Sequence, residues 1–248
     1  MFGILTVFMF SGCYNHWHKV EGNYDLVQET RQLSTFTQVS NEGEFDVYII
    51  QDSLSEVTIE AESNLIPLIQ TQVHGNSLEI KTKDNLQNNY PMKIYVHTSG
   101  ITDVSLSGSG LIHMEDIEAG NVDVTLSGSG NIFVSGTFDI LDCSISGSGS
   151  ADIGVEANQI QANISGSGEM EIWGTADKGE FDISGSGSIS AYEMVLQECY
   201  ATISGSGNMQ VTVEDYLNVK ISGSGSVYYM GTPVIESNIS GSGNIIHP

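Results

Sequence analysis

The sequence predicts an all-β fold, a β-solenoid with coils of about 19 residues, and three observations predict it. The tetrapeptide SGSG begins at Ser107, Ser127, Ser146, Ser165, Ser184, Ser204, Ser222 and Ser240, with spacings of 18 to 20 residues. A flexible Gly/Ser linker would keep no such period. An aliphatic residue precedes every motif, from Leu106 to Ile239, and an apolar residue stands two places after it, from Ile112 to Ile245. Around the first motif Val104, Leu106, Gly108, Gly110, Ile112 and Met114 share one parity, while Ser105, Ser107, Ser109, Leu111 and His113 share the other. That is the alternation of a strand with one buried face. At about 3.3 Å per residue such a coil traces a path of about 63 Å, which suits one solenoid turn. A propeller blade needs about 40 residues.

The elements follow in chain order. Met1 to Phe10 is apolar and Ser11-Gly12 precedes Cys13, the pattern of a bacterial lipoprotein signal. Residues 1–12 are expected to be the signal peptide and Cys13 the lipidated first mature residue, anchoring the chain to the outer membrane in the cell envelope. No Lys or Arg precedes the apolar run, although a basic segment is usual there. An ordinary cleaved signal, a non-exported apolar terminus and a start further upstream therefore stay open. Residues 13–29 read as a tether, and 30–248 as one β-helix domain. From about Gln28 to Tyr95, β-rich stretches such as EFDVYII and SLEIKTK read as irregular opening coils that also cap the first layer. Pro67 limits any helix there to a short one.

From about residue 104 the SGSG coils begin. The motif glycines are expected at a tight corner, with the serines facing out and their hydroxyls stacked in hydrogen-bonded rows. Gly120, Gly136, Gly154, Gly174 and Gly231 supply a second turn, giving two or three short strands per coil. The final GNIIHP shows no polar capping segment, so the last coil is expected either to be covered by another copy of the chain or to be protected by Pro248 and local twist. Cys143 and Cys199 fall about three layers apart, about 14 Å, beyond the reach of a disulfide. Both read as small buried apolar residues.

Composition narrows the function. Seven Lys and Arg stand against 31 Asp and Glu, a formal charge of -24. Such a surface repels phosphate backbones, so no nucleic-acid partner is expected. No Lys follows any SGSG, as a phosphate-binding loop would require, and eight equivalent serines single out no nucleophile. No catalytic residue and no cofactor is expected. Asp152, Glu169 and Glu171 lie in adjacent repeats on the outward parity and form a candidate weak calcium site, with a solvated acidic face as the alternative. His16-x-His18 is the sole short His pair, and it falls in the tether. Phe133, Trp173 and Tyr228 share the outward parity and form the candidate surface-binding strip for a glycan or protein ligand. The alternative is that these rings pack at corners.

The segment FTQVSNEGEFDVYIIQ, the stretch EVTIEAESNLIPLIQTQVHGNSLEIKT and the SGSG ladder, often continuing as GNI, together resemble the bacterial "putative auto-transporter adhesin, head GIN domain" family. The resemblance covers roughly residues 30 to 246. It implies a right-handed parallel β-helix, similar in fold to pectin lyases but without their catalytic residues, on exported or lipid-anchored proteins. The function expected is non-enzymatic adhesion or cell-envelope interaction. The alternatives are a polysaccharide lyase or hydrolase on the same fold, and a structural spacer or envelope-stress component.

Overall fold

The computed structural model describes residues 19–248. Cys13, His16 and His18, and with them the expected signal peptide and lipid anchor, lie outside the described residues. Nine short strands precede the regular coils: β1 Lys19–Glu21, β2 Leu26–Gln32, β3 Gln38–Asn41, β4 Asp46–Gln51, β5 Glu56–Glu62, β6 Ile69–His74, β7 Ser77–Thr82, β8 Asn85–Gln87 and β9 Lys93–Thr98. Then follow β10 Asp103–Gly108, β11 Leu111–Gly128, β12 Asn131–Gly147, β13 Ser150–Gly166, β14 Glu169–Gly185, β15 Ser188–Gly205, β16 Asn208–Gly223, β17 Ser226–Met230, β18 Val234–Gly241 and β19 Asn244–Ile246. The chain is a β-solenoid of about eight turns, as the period predicts.

Each of β11 to β16 is nearly a whole coil, because parallel pairing continues through its bends. In β12 three inward groups, Ile132 with Val134, Phe138 alone, and Leu141, Cys143 and Ile145, are separated by bends at Ser135-Gly136 and Asp139-Ile140. The SGSG corner closes the coil. Its first glycine ends the strand at φ between 124° and 141° in every motif, and its second is inward. Both positions exclude a Cβ. One on Gly147 would lie 2.3 Å from the Gly128 carbonyl oxygen, and one on Gly149 would lie 2.5 Å from both the Gly130 oxygen and Leu126 Cδ2. The layers touch at the corner backbone to backbone, and Ser148 N still donates to Gly128 O at 3.0 Å.

The expected serine rows need correction. The motif serines are exposed, but among the described residues their hydroxyls form no hydrogen bonds to one another. Thr37 and Thr102, level in neighbouring layers, do bond hydroxyl to hydroxyl at 3.0 Å, but the motif serines turn theirs to solvent. The second-turn reading holds at Gly136, Gly174 and Gly231, whose φ values are positive, but Gly154 has another role, described below.

The aliphatic residue before the motif builds the core column. Leu106, Leu126, Ile145, Ile164, Ile183, Ile203 and Ile221 are all at most 2% exposed. Burying each contributes about 1.5–3 kcal/mol relative to exposure. Cys143 and Cys199 are buried free thiols, and burial, helped by the Asp142 charge, pushes Cys143 up to about 12. The last coil leaves Val234, Ile235 and Ile239 exposed.

The first third is less simple than a set of opening coils. β3 with β4 forms one layer, paired parallel to β10 and β11. β7 with β9 forms the layer beyond it, although it comes later in sequence. The cap is antiparallel: β6 pairs with β7, β5 with β9, and β2 with β5. Reversing direction covers the first layer without offering another parallel edge. Arg31 on β2 ties this cap together by donating to the Ile69 and Ile66 carbonyls at 2.8 and 3.1 Å. Residues 19–29, expected within the tether, instead hold β1, paired to β8, and the start of β2. Buried Glu62 fixes that segment by accepting the Tyr24 and Asn89 amides at 2.7 and 2.8 Å. Burial raises this carboxyl, but the hydrogen bonds from Asn89, Tyr24 and Tyr90 outweigh that and hold it low.

On the run that leads into the corner, Asp103, Asp123 and Asp142 are cross-strand neighbours. Desolvation, and then the Asp123 charge, raise both Asp103 and Asp142, while hydrogen bonds from Ser144 and Asn163 partly offset this at Asp142. A carboxyl raised in the folded state opposes folding once pH exceeds its ordinary value of 3.8. Asp123→Asn is therefore expected to raise stability at pH 7 by about 0.5 kcal/mol, the scale of a like-charge cross-strand pair. At pH 3 the gain should vanish; urea unfolding at both pH values checks it.

Candidate functional site

The run that follows each corner turns alternate side chains outward, and the register fixes which of them meet. Tyr95, Tyr48, His113 and Phe133 occupy one column across β9, β4, β11 and β12. Layers about 4.8 Å apart oblige such rings to stack. Tyr48 and Tyr95 lie 5.3 Å apart at 20°, Tyr48 and His113 5.7 Å at 45°, and His113 and Phe133 4.6 Å at 11°. The column continues as Asp152, Glu171, Ser190, Gln210 and Tyr228.

Trp173 belongs to the next column outward, directly across from Gly154. Its indole lies over that glycine, where a Cβ would come 2.3 Å from Nε1 and 2.4 Å from Cε2. Gly154 is thus the seat of a ring. The indole reaches back to Phe133, 6.2 Å away and tilted by 45°. Five rings from Tyr95 to Trp173 form a row parallel to the solenoid axis.

A groove flanks each end of the row. The lower one, about 570 Å³, lies beside Tyr48, Tyr95 and His113 and is rimmed by Gln51, Glu115 and Asp116. The upper one, about 170 Å³, lies between Trp173 and Tyr192 and is rimmed by Glu171, Glu193 and Gln210. Beyond the lower groove His97 Nδ1 meets Asp52 Oδ2 at 2.7 Å, a contact that lowers the Asp52 carboxyl together with the Leu54 amide. Ser190 donates to Gln210 Oε1 at 3.0 Å and fixes that amide.

Of the expected strip, Phe133 and Trp173 do come together. Tyr228 stands apart, five layers from Phe133, or about 24 Å. Tyr48, Tyr95, His113 and Tyr192 were not among the expected residues. Tyr48 and His113 become visible once the corner NEGEF is aligned with the corner LSGSG, since this puts the two level.

The calcium expectation for Asp152, Glu169 and Glu171 is not met. Among the described residues no three His, Cys, Asp or Glu side chains gather to hold a metal. Asp152 and Glu171 are neighbours across the sheet, but Glu169 pairs with Ser150, and all three acids are exposed. On an open sheet face like charges diverge into water, and calcium needs six to eight converging oxygens.

Solved structures share this architecture. A protein of Parabacteroides distasonis described as a "putative lipid binding protein" is 24% identical, with 93% of this chain and 100% of that chain covered and a TM-score of 0.86. A "putative adhesin" of the same species is 22% identical over 92% and 99% of the two chains, with a TM-score of 0.86. A "putative adhesin" of Parabacteroides merdae is 20% identical over 92% and 99%, with a TM-score of 0.85. At these identities the likeness concerns the fold. No curated protein matches the chain in sequence. The family model described as "Putative auto-transporter adhesin, head GIN domain" matches residues 35–153 and 125–233, so the period, the corners and the aligned sequence agree that the chain belongs to that family.

Proposed function

We propose that the chain is a non-enzymatic, exported lipoprotein that adheres through the aromatic face of its solenoid. The observation that carries this reading is the row of five rings on a face that core packing does not require to be aromatic. The same column carries Ser190 and Gln210 three and four coils beyond Phe133, so rings are not needed there for folding. Outward rings set in a row suit recognition, because aromatic residues supply most of the binding energy at interfaces. An adhesin family is one of exported or cell-surface proteins, and lipid on Cys13 would hold this one at the outer membrane.

Beads coated with the protein should be retained by cell surfaces of its community, and the triple variant Tyr48→Ser, Phe133→Ser, Trp173→Ser should lose at least about tenfold of that retention, as loss of hot-spot aromatics does. Undiminished retention by a folded triple variant would sink the proposal. Radioactive palmitate should label the wild type and not Cys13→Ala; equal labelling would remove the anchor. Incubation with a panel of polysaccharides should release no new reducing ends or unsaturated products. Pairing of copies through the exposed last coil predicts a dimer in sedimentation at high concentration, and a monomer there would exclude it.

A further inference from the structure

The aromatic row is bracketed by two grooves on one face, and the chemistry of that face selects among ligands. In the stacked part of the row His113 and Phe133 cover one another's inner faces at 4.6 Å, so these rings offer mainly edges to solvent. Trp173 is different. Among the described residues its nearest ring is tilted by 45° and 6.2 Å away, so none of them stacks on the indole. It projects over Gly154, which has no side chain to lift it. Beside it stand the carboxylates of Glu171 and Glu193 and the amide of Gln210, groups that accept and donate hydrogen bonds to hydroxyls. At the other end Glu115, Asp116 and Gln51 stand beside Tyr48 and Tyr95.

Two features argue against a peptide. Along β11 to β14 the strands beneath this face are each paired on both sides, so an extended peptide finds no edge at which to add its backbone hydrogen bonds. The rims also offer hydrogen-bonding groups in number, while of the isoleucines that line the grooves Ile49 and Ile172 are buried and Ile50 alone is exposed. Two features specify the sugar. The rims are acidic in a protein of net charge -24, which repels uronic and sulfated chains and attracts ammonium groups. The grooves lie along the axis, with Tyr48 and Trp173 four layers apart, about 19 Å. Among sugars, only a chain of several units reaches both.

We propose that this face binds a linear, non-acidic glycan lengthwise, seating one pyranose on Trp173 above Gly154 and another in the groove beside Tyr48 and Tyr95, with amino sugars held most tightly. The assignment rests on the adhesive reading of the same face and names its ligand. The probes are the hexamer and dimer of glucosamine, the hexamer of N-acetylglucosamine and the hexamer of galacturonate, titrated calorimetrically into the folded protein. The glucosamine hexamer should bind at least about tenfold more tightly than its dimer, since two linked contacts gain from effective concentration. Its advantage over the N-acetylated hexamer should shrink as salt is added. The galacturonate hexamer should not bind.

Trp173→Ala should weaken the glucosamine hexamer at least tenfold. Gly154→Ala, which keeps the indole but pushes it off its seat, should weaken it severalfold, with thermal melts confirming that both variants fold. Equal affinity for galacturonate, no dependence on length, or unchanged binding by Trp173→Ala would each overturn the proposal. If no sugar binds and yet the triple aromatic variant still loses retention on cells, the glycan assignment falls and the adhesive face stands, with a protein ligand in its place. If retention is also unaffected, both fall.

Discussion

Gly147→Ala is expected to destabilise the protein by about 3–5 kcal/mol, the sum of a forbidden backbone conformation and an overpacked contact. Gly147 sits at φ 137°, and its new Cβ would lie 2.3 Å from the Gly128 oxygen. That contact cannot relax by a side-chain rotation, because both partners are backbone. The layer above depends on the same column, since a Cβ on Gly166 would meet the Gly147 oxygen at 2.5 Å. Any shift of the corner therefore propagates to its neighbour, as expected where stability resides in layer interfaces. The flanking Ser146→Ala and Ser148→Ala should change stability by no more than about 0.5 kcal/mol, since both side chains are exposed. Urea melts of the three variants check the contrast. Equal losses at the glycine and the serines would mean that hydroxyls, and not close approach, hold the corner.

Phe45→Ala is expected to cost about 3–5 kcal/mol, the usual range for a buried phenylalanine. Phe45 is fully buried and takes the place of the second motif glycine, at the corner of the parallel layer that adjoins the first SGSG coil. Its ring packs against Gly43, whose Cβ would lie 2.8 Å from Cε2. Its backbone oxygen accepts from buried Asn41 Nδ2 at 3.0 Å and from Leu111 N at 3.0 Å. One aromatic side chain thus fills the space that the repeated corner closes by backbone contact. Native-state hydrogen exchange should show the loss concentrated in β3, β4, β10 and the cap, with the amides of β14 to β16 still protected. Uniform loss of protection would contradict a layer-by-layer division of stability.

The regular coils were legible because a single sequence feature, SGSG, marks a single backbone requirement, and the aliphatic residue before it occupies one inward site in every layer. Strand parity also places Phe133 and Trp173 on the outer face, where the register brings them together. The first third was not legible in the same way. Antiparallel β2, β5 and β6 carry the same period-two pattern as parallel strands, so alternation cannot reveal direction. Nor does sequence order give spatial order, since β3 and β4 sit between β7 with β9 and β10 with β11. Between β7 and β9 the excursion through β8 breaks the spacing, which conceals that Tyr95 is level with Tyr48. Gly154 reads as a turn because glycine usually marks one; its partner Trp173 is 19 residues away, and only the register shows that one is the seat of the other.

On the proposed reading function occupies one face, while the SGSG edge serves the stack. Hydroxyl-radical footprinting of the protein bound to a cell surface that retains it tests this most directly, whatever the ligand. Protection is predicted at Tyr48, Phe133 and Trp173, with none at Tyr200 and Tyr216, which lie 5.9 Å apart on a different run of the coil. Protection of Tyr200 and Tyr216 while Tyr48, Phe133 and Trp173 stay reactive would contradict it.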